Sequence, residues 1–161
     1  MEIRYARTDD LPTILEIYAQ ARAFMRETGN LAQWQGGFPP RSLLESDIAQ
    51  NKLYVCVSDG KIACVFYYAV EPDPTYQKIY NGAWKNDAPY GVIHRIASAR
   101  DVRGAASFSI LWAFGQTGNL RMDTHEDNIP MRSLLKKLGF QPCGSIFLAD
   151  GSPRYAYQKC H

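Results

Sequence analysis

The chain has 161 residues, 46% of them hydrophobic and 21% charged, and its formal net charge is +2. That length builds one domain around its own core, read here as residues 1–161, and the near balance of charge excludes the strongly basic surface that sequence-independent binding to nucleic acid or membrane requires. No apolar run approaches a membrane span and the opening MEIRYARTDD lacks the apolar segment of a signal peptide. The cysteines Cys56, Cys64, Cys143 and Cys160 show no C-x-x-C spacing, so free thiols in a cytoplasmic setting are expected.

Along the chain, Ile3 and Tyr5 alternate with charged neighbours, a strand signature. A helix follows, with Thr8 or Asp10 as its cap, Pro12 in its first turn, and Leu11, Ile14, Leu15, Tyr18 and Ala21 on one face. Phe24 to Pro40 mixes glycine, proline and aromatic residues, a candidate pocket rim, before RSLLESDIAQ resumes helical spacing. LYVCVS and KIACVFYYAV flank Asp59-Gly60, a two-residue hairpin signal. The polar insert from Glu71 to Pro89 is longer than a simple connection needs, and segments of that length tend to carry function. YGVIHRIAS reads as a mostly buried strand. A glycine turn, a helix with Phe108, Leu111, Trp112 and Gly115 on one side, and the strand NLRMDTH come next. The next helix has Asn128 as cap, Pro130 in its first turn and Gly139 as its stop, and a hairpin across Asp150-Gly151 closes the chain. This order predicts a three-layer α/β (α+β) fold with helices on both faces of a mixed sheet.

The turn RDVRGAASF directs several backbone N–H groups at one place. A helix N-terminus attracts anions, and the small residues Gly104 and Ala106 let a phosphate approach the main chain, with Arg100 and Arg103 supplying charge. Neither a P-loop nor a G-x-G-x-x-G fingerprint is present, which disfavours ATP and NAD. Taken together, VIHRIAS, VRGAAS and DNIPMRSLLKKLGF resemble the GNAT superfamily of N-acetyltransferases, and the similarity spans nearly the whole chain. The resemblance implies a mostly antiparallel sheet that splays open between VIHRIAS and NLRMDTH, with acetyl-CoA as co-substrate in the gap. Gly104 and Ala106 match the family's Gly-x-Ala, whereas Asp101 stands at its leading basic position. The implied cofactor-binding residues are Ile96, Ala97 and Ser98 on the strand, Arg103, Gly104, Ala105, Ala106 and Ser107 in the turn, and Asn128 opposite. A main-chain N–H near Ile96 or Ala97 would hold the thioester carbonyl.

Acetyl transfer to an amine needs a base for the ammonium and an acid for the leaving thiolate, without a metal. The family's usual tyrosine acid falls on Leu135 by this register, so His94 and His125 are the catalytic candidates, with His125 placed in an exposed loop. His94, His125 and Cys143 lack metal-ligand spacing, and no metal is expected. Aromatic residues and carboxylates in the variable segments suit a small-molecule or peptide amine, and Trp34 and Tyr68 are the substrate-binding candidates. Asp101 and Leu135 prompt a second reading, a CoA-binding or protein-interaction domain of the same fold without catalysis. An RNA-binding module, suggested by Arg100, Arg103, Lys136 and Lys137, conflicts with the balanced charge. The final hairpin has a lightly guarded edge, and a homodimer is expected through it.

Overall fold

In the computed structural model, which describes residues 1–161, strands and helices follow in the expected order. They are β1 (Glu2–Tyr5), α1 (Leu11–Glu27), α2 (Arg41–Ala49), β2 (Leu53–Ser58), β3 (Lys61–Val70), β4 (Gly91–Ser98), α3 (Ala105–Thr117), β5 (Asn119–Thr124), α4 (Ile129–Lys137), β6 (Gln141–Phe147) and β7 (Pro153–Cys160). The strands form one seven-stranded sheet of order β1-β2-β3-β4-β5-β7-β6, antiparallel except where β4 meets β5. Asp59 and Gly60 make the β2–β3 turn with φ of 50° and 75°, the positive pair that a two-residue hairpin needs. Helices α3 and α4 cover one face over a core that includes Phe66, Ile110, Leu120 and Leu135. On the other face α1 and α2 pack Ile14 and Leu44 against Val55 and Val65 of the sheet. No helix is long and apolar enough to cross a membrane.

Two expectations about the helices are corrected. Phe108 and Leu111 point outward at 39% and 44% exposure, while Ala105, Ser109, Ile110 and Ala113 are buried against the sheet. Both faces of α3 are apolar, so periodicity could not choose between them. The small residues let the helix approach closely, and Trp112 packs edge-on to Tyr68 and Phe66. Neither Thr8 nor Asp10 caps α1 with its side chain. Thr8–Asp10 form a short 3-10 turn, and the Asp10 carboxylate takes two hydrogen bonds from Arg4 at 2.8 and 3.0 Å and one from the Arg7 N–H at 2.7 Å.

The decisive irregularity lies in β4. Val65 pairs with Ala97 and Tyr67 with His94, so two steps along β3 are matched by three along β4, and Arg95 absorbs the extra residue at φ 53°. Such a bulge bends its strand and inverts the alternation of side chains beyond it. Beside β5, pairing stops after Gly91–Leu120 and Val92–Arg121, and the two strands diverge. Three contacts hold the bulge: the Tyr18 hydroxyl donates to the Arg95 carbonyl at 2.7 Å, the Arg95 guanidinium donates to Asp47 at 2.5 Å, and it lies 4.8 Å over the Tyr67 ring.

The long insert is fixed to the sheet. Arg121 is 4% exposed and lies between Trp84 and Tyr90, 4.2 and 3.9 Å from the ring centroids. The Trp84 indole donates to the Tyr76 carbonyl at 2.9 Å, and the Lys85 N–H donates to Gln158 at 2.7 Å. Its far half is thereby anchored, leaving Glu71–Tyr76 as a wall at the open end of β4.

Because Tyr18 is fully buried with its hydroxyl on the bulge, Tyr18→Phe is expected to cost about 1 kcal/mol, as for a lost internal hydrogen bond. Chemical denaturation measures the cost, and faster amide exchange at Arg95 to Ala97 localises it.

Candidate active site

The divergence of β4 from β5 opens two cavities, about 700 and 800 Å³, which share Met25, Ile96, Asn128 and Met131 as lining residues and so form one continuous passage. The smaller is lined by Ile96, Ala97 and Ser98 of β4 and by the turn Arg103, Gly104, Ala105, Ala106 and Ser107. Asn128 closes it from α4, so every residue expected at the cofactor borders this one cleft. Gly104 adopts φ 82°, and a Cβ added there meets nothing within 4 Å. Glycine is therefore required by backbone conformation and leaves open space beside the first turn of α3, whose leading N–H groups have no intrahelical acceptors. The Ala99 N–H bonds the Ala63 carbonyl on β3 at 2.9 Å. Strand alternation from there turns the Ile96 and Ser98 N–H groups toward the gap and that of Ala97 toward β3.

Arg100 spans the cleft mouth, 3.2 Å from Glu27 and 4.8 Å over the Phe24 ring. Arg103 is exposed and free of ion pairs, as a charge for an incoming anion would be. Asn128 does two jobs: its carbonyl oxygen accepts the Met131 N–H at 3.2 Å, capping α4, and its amide donates to Gln33 at 3.0 Å, tying the α1–α2 segment to the cleft. Leu135 is fully buried in the core, and α4 lines the cleft with Asn128, Met131 and Leu134 instead.

The larger cavity lies over β3, β4 and β5 and carries the titratable groups. His94 is bracketed by carboxylates: Nε2 is 2.6 Å from Asp73 and Nδ1 is 3.9 Å from Asp123. Burial pushes the Asp73 carboxyl up, but hydrogen bonds from His94 and from the Thr75 hydroxyl and N–H outweigh it and hold the group below its ordinary value. Asp123 accepts the Tyr76 hydroxyl at 2.5 Å. Tyr76 is fully buried, and burial, reinforced by Asp123, pushes its phenol well above the ordinary value, so it remains a donor. The result is two hydrogen-bonded pairs, Asp73 with His94 and Asp123 with Tyr76, set side by side with Nδ1 of His94 facing Asp123 across 3.9 Å. An anionic Asp73 fixes the proton on Nε2 and leaves the Nδ1 lone pair free.

His125 departs from its expected exposure. It is 9% exposed, lines the same cavity, and accepts the Asp127 N–H at Nδ1 over 3.0 Å, so its neutral ring carries the proton on Nε2. The turn after β5 folds inward because Asn128 begins α4 immediately beyond. Trp34 borders the cavity and packs edge-on to Tyr18 at 5.6 Å. Tyr68 does not. It is 6% exposed on the opposite face, packed with Tyr54 and Trp112 beneath α3, and the next residue back, Tyr67, reaches the cavity. Alternation along β3 decides between the two, and its direction depends on which face α3 covers.

Asp123, Arg95 and Arg154 also line the cavity, although no motif singles them out. Alternation in NLRMDTH does place Asp123 with Arg121 on one face of β5, but nothing local shows that His94 lies opposite. The bulge at Arg95 has no sequence signal, because no glycine marks its positive φ. The Lys52 and Tyr67 side chains engage Glu71 at the rim. Burial raises that carboxyl, and these two hydrogen bonds together bring it below its ordinary value.

No protein-family model matches the chain, and neither does any curated protein sequence. Solved structures do. A GNAT-family acetyltransferase from Streptococcus agalactiae is 33% identical, covers 99% of this chain and 95% of its own, and superposes with a TM-score of 0.88. A GNAT-family acetyltransferase from Listeria monocytogenes is 21% identical over 98% of this chain and 93% of its own, with a TM-score of 0.71. The NatB acetyltransferase complex bound to CoA and MES is 14% identical over 99% of this chain and 98% of the matched one, with a TM-score of 0.66, and shows the shared fold alone. With one residue in three identical to the streptococcal enzyme over nearly the whole of both chains and a closely superposing fold, this chain belongs to the GNAT family of acetyltransferases.

Proposed function

We propose that this acetyltransferase moves the acetyl group of acetyl-CoA onto an amine by direct attack in a ternary complex. The observation that carries the reading is the meeting of the two cavities at Ile96, where one side offers an anion-holding helix turn and the other a histidine between carboxylates. Residues present fit the donor. Gly104 to Ser107 provide main-chain N–H groups for a pyrophosphate, Arg103 adds charge, and the N–H groups of Ile96 and Ser98 line the path between. The free Ile96 N–H is placed to polarise the thioester carbonyl.

On the acceptor side, Asp73 and Asp123 attract an ammonium, and His94 takes its proton at Nδ1. The amine nitrogen then bonds the carbonyl carbon, the carbon–sulfur bond breaks, and the surplus proton left on that nitrogen passes to the departing thiolate, which the Nε2–H of His125 holds by a hydrogen bond, so that the products are the amide and the CoA thiol. Asp73 is a positioning residue that keeps Nδ1 of His94 available. Trp34 and Tyr67 form the aromatic wall that packs the rest of the acceptor. A cytoplasmic location, supported by free cysteines throughout, and a homodimer at the exposed Phe147 edge of β6 belong to the same reading. The paired protonation states of His94 and His125 favour catalysis over a CoA-binding scaffold.

Calorimetric titration with acetyl-CoA is expected to give micromolar binding, and Gly104→Glu to weaken it by at least about tenfold, through a carboxylate set against the pyrophosphate. No binding by the wild type overturns the proposal. His125→Ala and His94→Ala are each expected to lower kcat by about 10²-fold or more with acetyl-CoA affinity intact. A loss below tenfold removes that histidine from the mechanism.

The hydrogen bonds on Asp73 have a consequence for acid stability. The folded value of this carboxyl lies below the unfolded one near 3.8, so its stabilisation is fully present above that pH and is lost as pH falls through the folded value. Asp73→Asn is expected to flatten the acid limb of the stability curve below about pH 4 and to lower kcat more than acetyl-CoA affinity. Urea midpoints measured across pH check the first and steady-state kinetics the second.

A further inference from the structure

Arg154 is a buried arginine with no use in the chemistry above. It lies on β7 opposite Ile146, is 7% exposed, and lines the larger cavity. Its one hydrogen bond runs from Nη1 to the carbonyl of Pro153, its own neighbour in sequence, at 2.8 Å, and it belongs to no ion pair. The other arginines of this face are spent on structure. Arg95 is bonded to Asp47 at 2.5 Å, and Arg121 is enclosed by Trp84 and Tyr90. The other N–H groups of Arg154 have no protein partner and are not fully shut off from solvent, so they remain open to an anion entering the cavity. Burial lowers its proton affinity, opposed by the more distant charges of Asp123 and Asp150, and a group of this basicity stays charged.

The sheet places that charge beside the ammonium subsite. Asp123 pairs with Ala156 across β5 and β7, and Arg154 lies two residues further along β7 on the same face, about 7 Å between Cα atoms. A small zwitterion bridges that interval, its ammonium toward Asp73, Asp123 and His94 and its carboxylate toward Arg154. We propose that Arg154 binds a carboxylate of the acceptor, which makes the acceptor an amino acid or a similar amino carboxylate in preference to a plain amine or polyamine. This rests on the larger cavity being the acceptor site. The planar guanidinium suits two parallel hydrogen bonds to a carboxylate, which a neutral amide does not provide.

The test reads binding in preference to turnover. Full-length protein with CoA is titrated calorimetrically with each common L-amino acid, its C-terminal amide and its decarboxylated amine. Glycine, β-alanine and γ-aminobutyrate are added to vary the charge spacing. At least one amino carboxylate is expected to bind about tenfold or more tighter than both of its analogues, a gap that Arg154→Gln abolishes and Arg154→Lys partly retains. A wild type that binds no amino carboxylate, or binds acid and amide alike, overturns the proposal whether or not the variants fold. A preference that survives in folded Arg154→Gln does so too. An amino acid that binds with this preference but is not acetylated leaves the Arg154 assignment standing and counts against the transfer reaction alone.

Discussion

The single extra residue in β4 is the feature on which the rest of the site depends. Without it, β4 and β5 would continue side by side as parallel partners, their N–H and C=O groups would be consumed by each other, and no passage would cross the sheet. With Arg95 at φ 53° the strand bends, pairing ends after Val92 and Arg121, and main-chain donors on Ile96 and Ser98 are released into a gap. A positive φ is costly for a residue with a side chain, and here the surroundings over-determine it. Tyr18 from α1 holds the carbonyl and Asp47 from α2 the guanidinium. The apolar packing of the first two helices is thereby coupled to the shape of the cleft.

The bulge also determines what faces the larger cavity. It restores parity so that His94 and Ala97 share a face, which brings His94 opposite Asp123 of β5 and under Asp73 of the insert. Each carboxylate there is already engaged by a neutral or cationic donor, which lets several acids occupy one cavity without mutual protonation. The insert supplies both Asp73 and Tyr76, and the arginine between Trp84 and Tyr90 anchors it. A long polar connection is thus rigid where it meets the chemistry, as a positioning element needs to be.

His94 of β4 and His125 just past β5 carry the proton on the same nitrogen, Nε2, but leave opposite nitrogens free. Asp73 occupies Nε2 of His94, and the Asp127 N–H occupies Nδ1 of His125. Main-chain and carboxylate partners, more than the ring itself, decide whether a lone pair or an N–H is left to face this cavity.

Local physical chemistry made much of the fold legible in the sequence. Apolar periodicity marked the strands and helices, Asp59-Gly60 and Gly104 marked turns that demand positive φ, and Asn128, Pro130 and Gly139 bracketed α4. The cleft beside Gly104 was legible for the same reason: most of its lining is nearly contiguous, so strand, turn and helix N-terminus assemble it within a short span. The larger cavity was not. Its members come from five separate segments, and Asp123, Arg95 and Arg154 carry no local pattern. The faces of α3 and β3 were equally undecidable, because both sides of α3 are apolar and alternation fixes relative, never absolute, direction. Tertiary packing made those choices: small residues drew α3 against the sheet, turning Tyr68 into core and Tyr67 toward the cavity. Folding of the β5–α4 turn buried His125. Sequence by itself determined where chain direction changes and where an anion can approach the backbone, since both follow from adjacent residues. Only the three-dimensional structure decided which distant charges meet, because that depends on one bulge and on the register of strands far apart in the chain.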